Sequence, residues 1–246
     1  ALDDLGSGIV TSLTKTGAGT WTLSGDKTFT GLTTIAADGG TLEVGPEGGK
    51  LSGTSGIVVN NGGTLLLSGS TDTIDRLNDA ATVHLSGGTL NTGGLNEGSA
   101  LAVGVGVLTL IADSTLDLGT GSSIFHFAAS GSAIWTSDAL LTITNWSGST
   151  SGAGTDQLYF GNSQSALTST QLSQIRFDLG GGNYSGANLL STGELVPVPE
   201  PSTVFGGLTL LGLIGFRERR RLAALWGLAF GAAGNRASAA KMSETH

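Results

Sequence analysis

The chain has 246 residues, of which 42 are glycine, 12% are charged, 6% are aromatic and none is cysteine. This composition excludes disulfides, cysteine-ligated zinc and thiol nucleophiles, and 39% hydrophobic residues are too many for simple disorder. Residues 1–199 carry 5 basic against 16 acidic side chains (net −11) and residues 200–246 carry 6 against 3 (net +3), so the acidic body argues against nucleic-acid binding.

The dipeptide Thr-Leu recurs through the first 120 residues. It stands at Thr22-Leu23, Thr41-Leu42, Thr64-Leu65, Thr89-Leu90 and Thr115-Leu116, with spacings of 19, 23, 25 and 26 residues, and three copies read Gly-Gly-Thr-Leu. A period of about 20–26 residues is the size of one solenoid coil. The alternation of polar and apolar residues over Thr82–Leu85, and of valine and glycine over Val103–Val107, indicates strands.

These patterns predict an all-β protein. Residues 1–147 are expected to form a right-handed parallel β-helix of roughly six coils, because a single coil cannot bury its apolar stripe and must stack on its neighbours. A β-sandwich rich in glycine, serine and threonine is the alternative. The segment Leu13–Val44, which contains Gly-Ala-Gly-Thr-Trp-Thr-Leu-Ser-Gly and Gly-Gly-Thr-Leu, resembles the autotransporter-associated β-strand repeat. That resemblance implies a β-helical passenger-type domain.

The strands are predicted to continue beyond the repeats. Apolar runs stand at Ile124–Phe127 and Leu140–Ile143, and the Ser/Gly-rich stretch Gly148–Gly154 indicates a boundary. A solenoid end exposes unpaired strand edges, so residues 148–196 are interpreted as a C-terminal cap. Within the cap, strands are expected at Gln157–Phe160 and Arg176–Leu179, with a short helix around Ser169–Ile175 between them.

Residues 197–221 contain three features in a fixed order. They are the box Val198, Pro199, Glu200, Pro201 and Ser202, the apolar stretch Val204–Phe216, and a basic cluster with Arg217, Arg219, Arg220 and Arg221. This order resembles the PEP-CTERM sorting signal of Gram-negative surface proteins. The resemblance implies that an exosortase-type membrane protease reads the box, that the apolar stretch is a short transmembrane helix before processing, and that the arginines stop it at the cytoplasmic side.

The apolar stretch is short for a membrane span. Its 13 residues make a helix of about 20 Å, whereas a full span takes about 20 residues. A buried or signal-like helix is therefore the alternative. Residues 222–246 add a second apolar run after the basic cluster, which is atypical of the sorting signal. They are open to three interpretations, namely readthrough, a gene-annotation artefact or a second membrane-associated segment.

No catalytic or cofactor motif stands out in the chain. HExxH, GxSxG, GxxxxGK[ST], the EF-hand loop and the calcium-binding nonapeptide are all absent from the sequence. His84 and His126 each lie between two apolar residues and are expected to point outward on strands as surface residues. We therefore expect no metal and no cofactor.

Two residue groups deserve comparison with glycan-active β-helices. Asp72, Asp75 and Asp79 form the densest acidic group and are interpreted as a solvated loop, with catalysis as the weaker alternative. Three tryptophans (Trp21, Trp135 and Trp146) have the side chain that stacks on sugars, but packing or coil-capping roles are favoured.

Three functions follow in order of preference. The first is a non-enzymatic structural protein of the cell surface or extracellular matrix of a Gram-negative bacterium, sorted by an exosortase and in contact with exopolysaccharide. The second is an adhesin or carbohydrate-binding module that uses one face of the solenoid. The third is a polysaccharide lyase or hydrolase that depends on the aspartates.

Overall fold

The computed structural model describes residues 2–6, 8–69 and 75–198, and this part of the chain is a parallel β-solenoid of about five turns. Each of the first five turns gives one strand to a first sheet and the following strand to a second. The first sheet consists of β1 (Leu13–Lys15), β3 (Leu32–Ile35), β5 (Gly56–Asn60), β7 (Thr82–Ser86) and β9 (Leu108–Ala112). The parallel part of the second consists of β2 (Thr20–Leu23), β4 (Gly40–Val44), β6 (Gly63–Leu67), β8 (Thr89–Asn91), β10 (Ser114–Asp117), β12 (Leu141–Thr144) and β14 (Ile175–Asp178). The strands β12 and β14 extend the second sheet alone.

A third side completes the turns. Early in the chain it is made by isolated parallel bridges, Asp26 with Lys50 and Leu51 with Leu77, near a 3-10 turn at Pro46–Gly48. Later it is made by β11 (Ile124–Phe127) and β13 (Gln157–Phe160), which pair in parallel. The helix α1 (Ser169–Ser173) follows, with Thr168 as its N-cap. The strands β15 (Tyr184–Leu189) and β16 (Glu194–Pro197) are antiparallel and connect the edge of β14 to the edge of β13.

The core consists of apolar rows that run along the stack. In the second sheet, inward side chains lie opposite one another from turn to turn, and all are fully buried: Leu42, Leu65, Leu90, Leu116, Ile143 and Phe177. Trp21 begins this row and is 45% exposed, since β2 is the first strand of its sheet. In the first sheet Lys15 is buried at the end of the row that contains Ile35, and its ammonium group donates to the carbonyl oxygens of three residues (Thr16, Gly17 and Gly39).

The recurrent Gly-Gly pairs lie at the corner between the two sheets. A Cβ atom on Gly63 would lie 2.5 Å from Ile35 Cγ2, and one on Gly88 would lie 2.4 Å from Val59 Cγ1. Gly40 has a φ of +65°, which residues with side chains rarely adopt. The pairs therefore allow the chain to turn tightly against the β-branched core residues of the first-sheet strand one turn earlier.

The predicted fold is confirmed at the level of a parallel β-solenoid, and the expected segments Gln157–Phe160 and Ile124–Phe127 are strands. The first Thr-Leu copy is offset from the others, since Thr20, and not Thr22, lies opposite Thr41, and a two-residue shift keeps the same face. The predicted strand at Val103–Val107 is wrong. Val103–Val107 is a loop with one bridge, from Val105 to Phe127. The handedness of the coil, the domain limits and the capping role of residues 148–196 stay predictions.

Candidate binding face

The outer face of the second sheet has a continuous row of threonines. In register from β2 to β12 these are Thr20, Thr41, Thr64, Thr89, Thr115 and Thr142, which we call the threonine row. Adjacent strands of a sheet lie roughly 4.8 Å apart, so hydroxyl and methyl groups repeat at that interval along the face. The row ends at β14, where Arg176 occupies the next position.

A second outward row lies two residues further along each strand and is chemically mixed. It contains Thr22, Glu43, Leu66, Asn91, Asp117 and Thr144. Asp117 is the centre of a hydrogen-bonded group, since its Oδ2 accepts from Asn91 Nδ2 at 2.9 Å and its Oδ1 accepts from Asn145 Nδ2 at 2.6 Å. The carboxylates and amides of this row are therefore held in fixed positions on the surface.

A cleft of about 410 Å³ lies where the second row meets the last parallel strand. Its walls are the end of β12 and the two residues after it (Thr144, Asn145 and Trp146), and the end of β14 and the two residues after it (Asp178, Leu179 and Gly180). The sequence analysis also named Trp135, which has a packing role, because its indole N–H donates to the carbonyl of Leu108 at 2.9 Å. Trp146 differs, since only part of its ring packs against the core and the rest lines the cleft.

A second cleft, of about 510 Å³, lies at the corner between the sheets. Its polar groups include Asn61, Asp113 and Asp138, and its apolar floor is Ile111, which is 43% exposed. Asp113 Oδ1 already accepts a hydrogen bond from the backbone N–H of Leu140 at 2.9 Å. No aromatic side chain is among its lining residues.

The acidic group proposed for catalysis is only partly described, since Asp72 lies outside the described residues. Asp75 forms an exposed ion pair with Lys50 at 3.9 Å. Asp75 and Asp79 both line a small cleft of about 220 Å³. Burial, and then the negative charge of Asp75, raise the pKa of Asp79 above its usual range.

A buried arginine and a buried carboxyl group lie next to this acidic group. Arg76 and Glu97 are both fully buried, and Glu97 Oε1 accepts hydrogen bonds from the backbone N–H groups of Arg76 and Leu77 at 3.0 and 2.8 Å. Burial raises the pKa of Glu97 to about 8, although these two hydrogen bonds and the Arg76 charge oppose the shift. Glu97 is a titratable group that sequence reasoning missed, because nothing in Asn96–Gly98 distinguishes it from a loop carboxylate.

The two histidines differ. His84 is half-buried on the outer face of β7, as predicted, with Nε2 3.1 Å from Thr82 Oγ1. The prediction for His126 is wrong, since it is 2% exposed, with Nδ1 2.6 Å from the carbonyl oxygen of Ser99 and Nε2 2.9 Å from that of Gly161. It is buried because the loop with Ser99 and the turn at Gly161 cover the outer face of β11.

Of the predicted sorting residues, only Val198 is within the described part of the chain. It follows β16, is 43% exposed and donates its N–H to the carbonyl of Gly186 at 2.9 Å. Pro199, Glu200, Pro201, Ser202, Arg217, Arg219, Arg220 and Arg221 lie outside the described residues. The structure therefore leaves the sorting signal as a prediction.

The described residues contain neither a cluster of metal-ligating side chains nor a membrane-spanning helix. In residues 2–6, 8–69 and 75–198, histidine and carboxylate side chains nowhere gather in a group of three or more that could hold a metal ion. The same part of the chain contains no helix with the length and apolar character needed to cross a membrane.

Comparison with known families gives a match at the start of the solenoid. Residues 13–44 match the passenger-associated transport repeat. The matched segment begins at the first residue of β1 and ends at the last residue of β4, so the passenger-associated transport repeat corresponds to the first two strands of each sheet. The resemblance to the autotransporter-associated repeat over Leu13–Val44 is thereby confirmed. No curated protein and no solved structure matches the chain.

Proposed function

We propose that this protein is a non-enzymatic structural protein of the bacterial surface, exported across the envelope and exposed outside the cell. The passenger-associated transport repeat at residues 13–44 carries the proposal, and the parallel β-solenoid that extends the same architecture to β14 fits an exported autotransporter-like passenger. Stacked parallel strands share a continuous backbone hydrogen-bond ladder and one core. Such a body suits a stiff spacer that presents a polar face.

The proposal also covers how the protein reaches the cell surface. In a Gram-negative host, residues 197–221 would be held transiently in the inner membrane. An exosortase-type protease would then recognise the box Val198–Ser202 within them. The mature body, with residues 148–196 as cap of a right-handed coil, would then be released into or anchored in the extracellular polysaccharide matrix. The exposed position of Val198 after β16 supports this order, because a protease needs an accessible segment next to the folded body.

Surface exposure is tested by treating intact producing cells with a protease and mapping the peptides of this protein that are released. Peptides from the solenoid body are expected from intact cells, while a periplasmic marker stays protected. Release of body peptides only after cell lysis would contradict the proposal.

A second candidate is a carbohydrate-binding module on the outer face of the second sheet. The cleft at Trp146, which combines an aromatic ring with carboxylate, amide and hydroxyl groups, favours it. The two functions are compatible, because a matrix protein that binds polysaccharide through one face is also a structural component. The lyase or hydrolase alternative is tested separately: only it requires a loss of polysaccharide degradation in D75N or D79N.

A further inference from the structure

The cleft at the end of the second sheet has a rigidly held aromatic wall. The Trp146 ring meets the ring of Phe177 edge-on, with centroids 5.4 Å apart and planes at 67°. Phe177 is fully buried and is the last member of the inward row of the second sheet. The core therefore fixes the plane of the indole, and the part of the ring that the core does not cover faces the cleft.

The indole nitrogen lies against a neighbouring turn. A Cβ atom on Gly148 would lie 2.6 Å from Trp146 Nε1, and Gly148 is not among the residues that line the cleft. Trp146 therefore offers the cleft an apolar ring, while the polar contacts come from the other lining residues.

The polar groups of the cleft are held in place before any ligand arrives. Asp178 Oδ1 accepts a hydrogen bond from the backbone N–H of Gly180 at 2.8 Å, which fixes the carboxylate, while Oδ2 accepts none from the described residues. Asn145, at a φ of +58°, donates from Nδ2 to Asp117 at 2.6 Å and keeps its side-chain oxygen as an acceptor. Such preorganisation lowers the entropy lost on binding.

We propose that this cleft binds an uncharged saccharide, with one sugar ring against Trp146 and its hydroxyl groups donating to Asp178 and Asn145. A volume of about 410 Å³ is within the range of small-molecule sites. A pyranose ring presents C–H groups on one face and hydroxyls at its edge, which matches an indole wall next to a carboxylate and an amide. This inference rests on the proposed function in one respect, because a protein on the cell surface is in contact with polysaccharide.

The charge of the site selects against acidic ligands. The six lining residues include Asp178 and no lysine or arginine, and the body of residues 1–199 has a net charge of −11, from 5 basic and 16 acidic side chains. A uronate or phosphate would meet like charge in the cleft and over the rest of the body. A lipid chain would find only Trp146 and Leu179 as large apolar groups.

The test is isothermal titration calorimetry of the purified 246-residue chain with short oligosaccharides of glucose and of N-acetylglucosamine, and with an oligouronate for comparison. Binding of at least one uncharged oligosaccharide, and weaker binding of the oligouronate, is expected. W146A should weaken that binding at least about tenfold (about 1.4 kcal/mol), because the ring contact is lost, and D178N about fivefold or more (about 1 kcal/mol), because a hydrogen bond to a charged group is lost. W21A is the matched control, because Trp21 is an exposed tryptophan on the same sheet away from the cleft, and its loss should leave the affinity unchanged.

D178N keeps an acceptor for the Gly180 N–H, so it tests the site even if W146A fails to fold against Phe177. The proposal is overturned if the wild-type chain binds none of the uncharged oligosaccharides, if it prefers the oligouronate, or if D178N and a folded W146A bind as the wild type does. Failure of this test leaves the export proposal standing, because protease treatment of intact cells measures exposure and not binding.

Discussion

Arg176 donates a hydrogen bond from Nε to the hydroxyl of Thr142 at 3.0 Å, at the point where the threonine row ends. The guanidinium carbon of Arg176 also lies 4.4 Å from the ring centroid of Tyr184 on β15. One side chain thus links the last strands of the parallel stack to the antiparallel strand that follows. A solenoid needs such a transition, because its last parallel strand otherwise exposes an unpaired edge.

Substitution of Arg176 measures this link. R176M should lower the free energy of unfolding by about 1–2 kcal/mol, the sum expected of one charge-assisted hydrogen bond and one cation–π contact. T142V should cost about half as much, since only the hydrogen bond is lost. Urea unfolding monitored by circular dichroism gives both values, and T89V is the control because Thr89 lies in the same row with no side-chain bond to an arginine. Equal effects of T142V and T89V would contradict the assignment.

Neighbouring leucines of β6 test the register of the second sheet. Leu65 is fully buried in the inward row, whereas Leu66 is half-buried on the outer face. L65A should therefore lower the free energy of unfolding by about 2–5 kcal/mol, as loss of a core leucine does. L66A should stay within about 0.5 kcal/mol of the wild type. A larger effect of L66A than of L65A would mean that the strand is inverted.

The buried carboxyl of Glu97 predicts a pH-dependent stability. Its pKa is about 8 in the folded protein against about 4.5 when unperturbed, so between these values the folded state holds a proton that the unfolded state has released. Glu97 therefore increases the free energy of unfolding at pH 4.5 and below. This contribution decreases as the pH rises towards 8. Burial is the main cause of the shift.

E97Q isolates this effect, because glutamine keeps an oxygen for the N–H groups of Arg76 and Leu77 but does not titrate. Urea unfolding at pH 5, 6, 7 and 8 should show the wild type losing stability relative to E97Q as the pH increases. E43Q, a change of the same type on the outer row, should follow the wild type. Parallel curves for the wild type and E97Q would show that Glu97 does not titrate in this window.

Histidine modification checks the environments of His84 and His126. Diethyl pyrocarbonate should modify His84 on the native protein and leave His126 largely unmodified, because His126 is 2% exposed with both ring nitrogens near carbonyl oxygens. Peptide mapping by mass spectrometry measures both sites. In urea both should react at similar rates, and fast native modification of His126 would contradict its burial.

Much of the fold could be predicted from the sequence, because the recurring Gly-Gly-Thr-Leu reports a local corner and an alternating strand. The Thr-Leu pattern did not give the register of β2, because a shift of two residues at Thr22 preserves the alternation of inward and outward side chains. Burial of His126 could not be predicted from its flanking phenylalanines, because it depends on Ser99 and Gly161, which are 27 and 35 residues away along the chain.

The candidate site was harder to predict than the fold. Trp146 was singled out as one of three tryptophans, but its partner Asp178 is on a strand 32 residues later and reaches the cleft only through the pairing of β12 with β14. That pairing skips the loop, β13 and α1 between them. No periodicity spans such an interval, so the sequence could identify Trp146 as a candidate but could not predict the cleft that it lines.

The most direct test of the account is the intact mass, with C-terminal peptide mapping, of the protein recovered from the surface of the producing cells. Sorting predicts a C-terminus near Pro199–Ser202, with the apolar and basic tail removed and the acidic solenoid body left as the mature protein. A chain that still ends at His246 and is recovered only from the inner membrane would contradict both the sorting and the surface role.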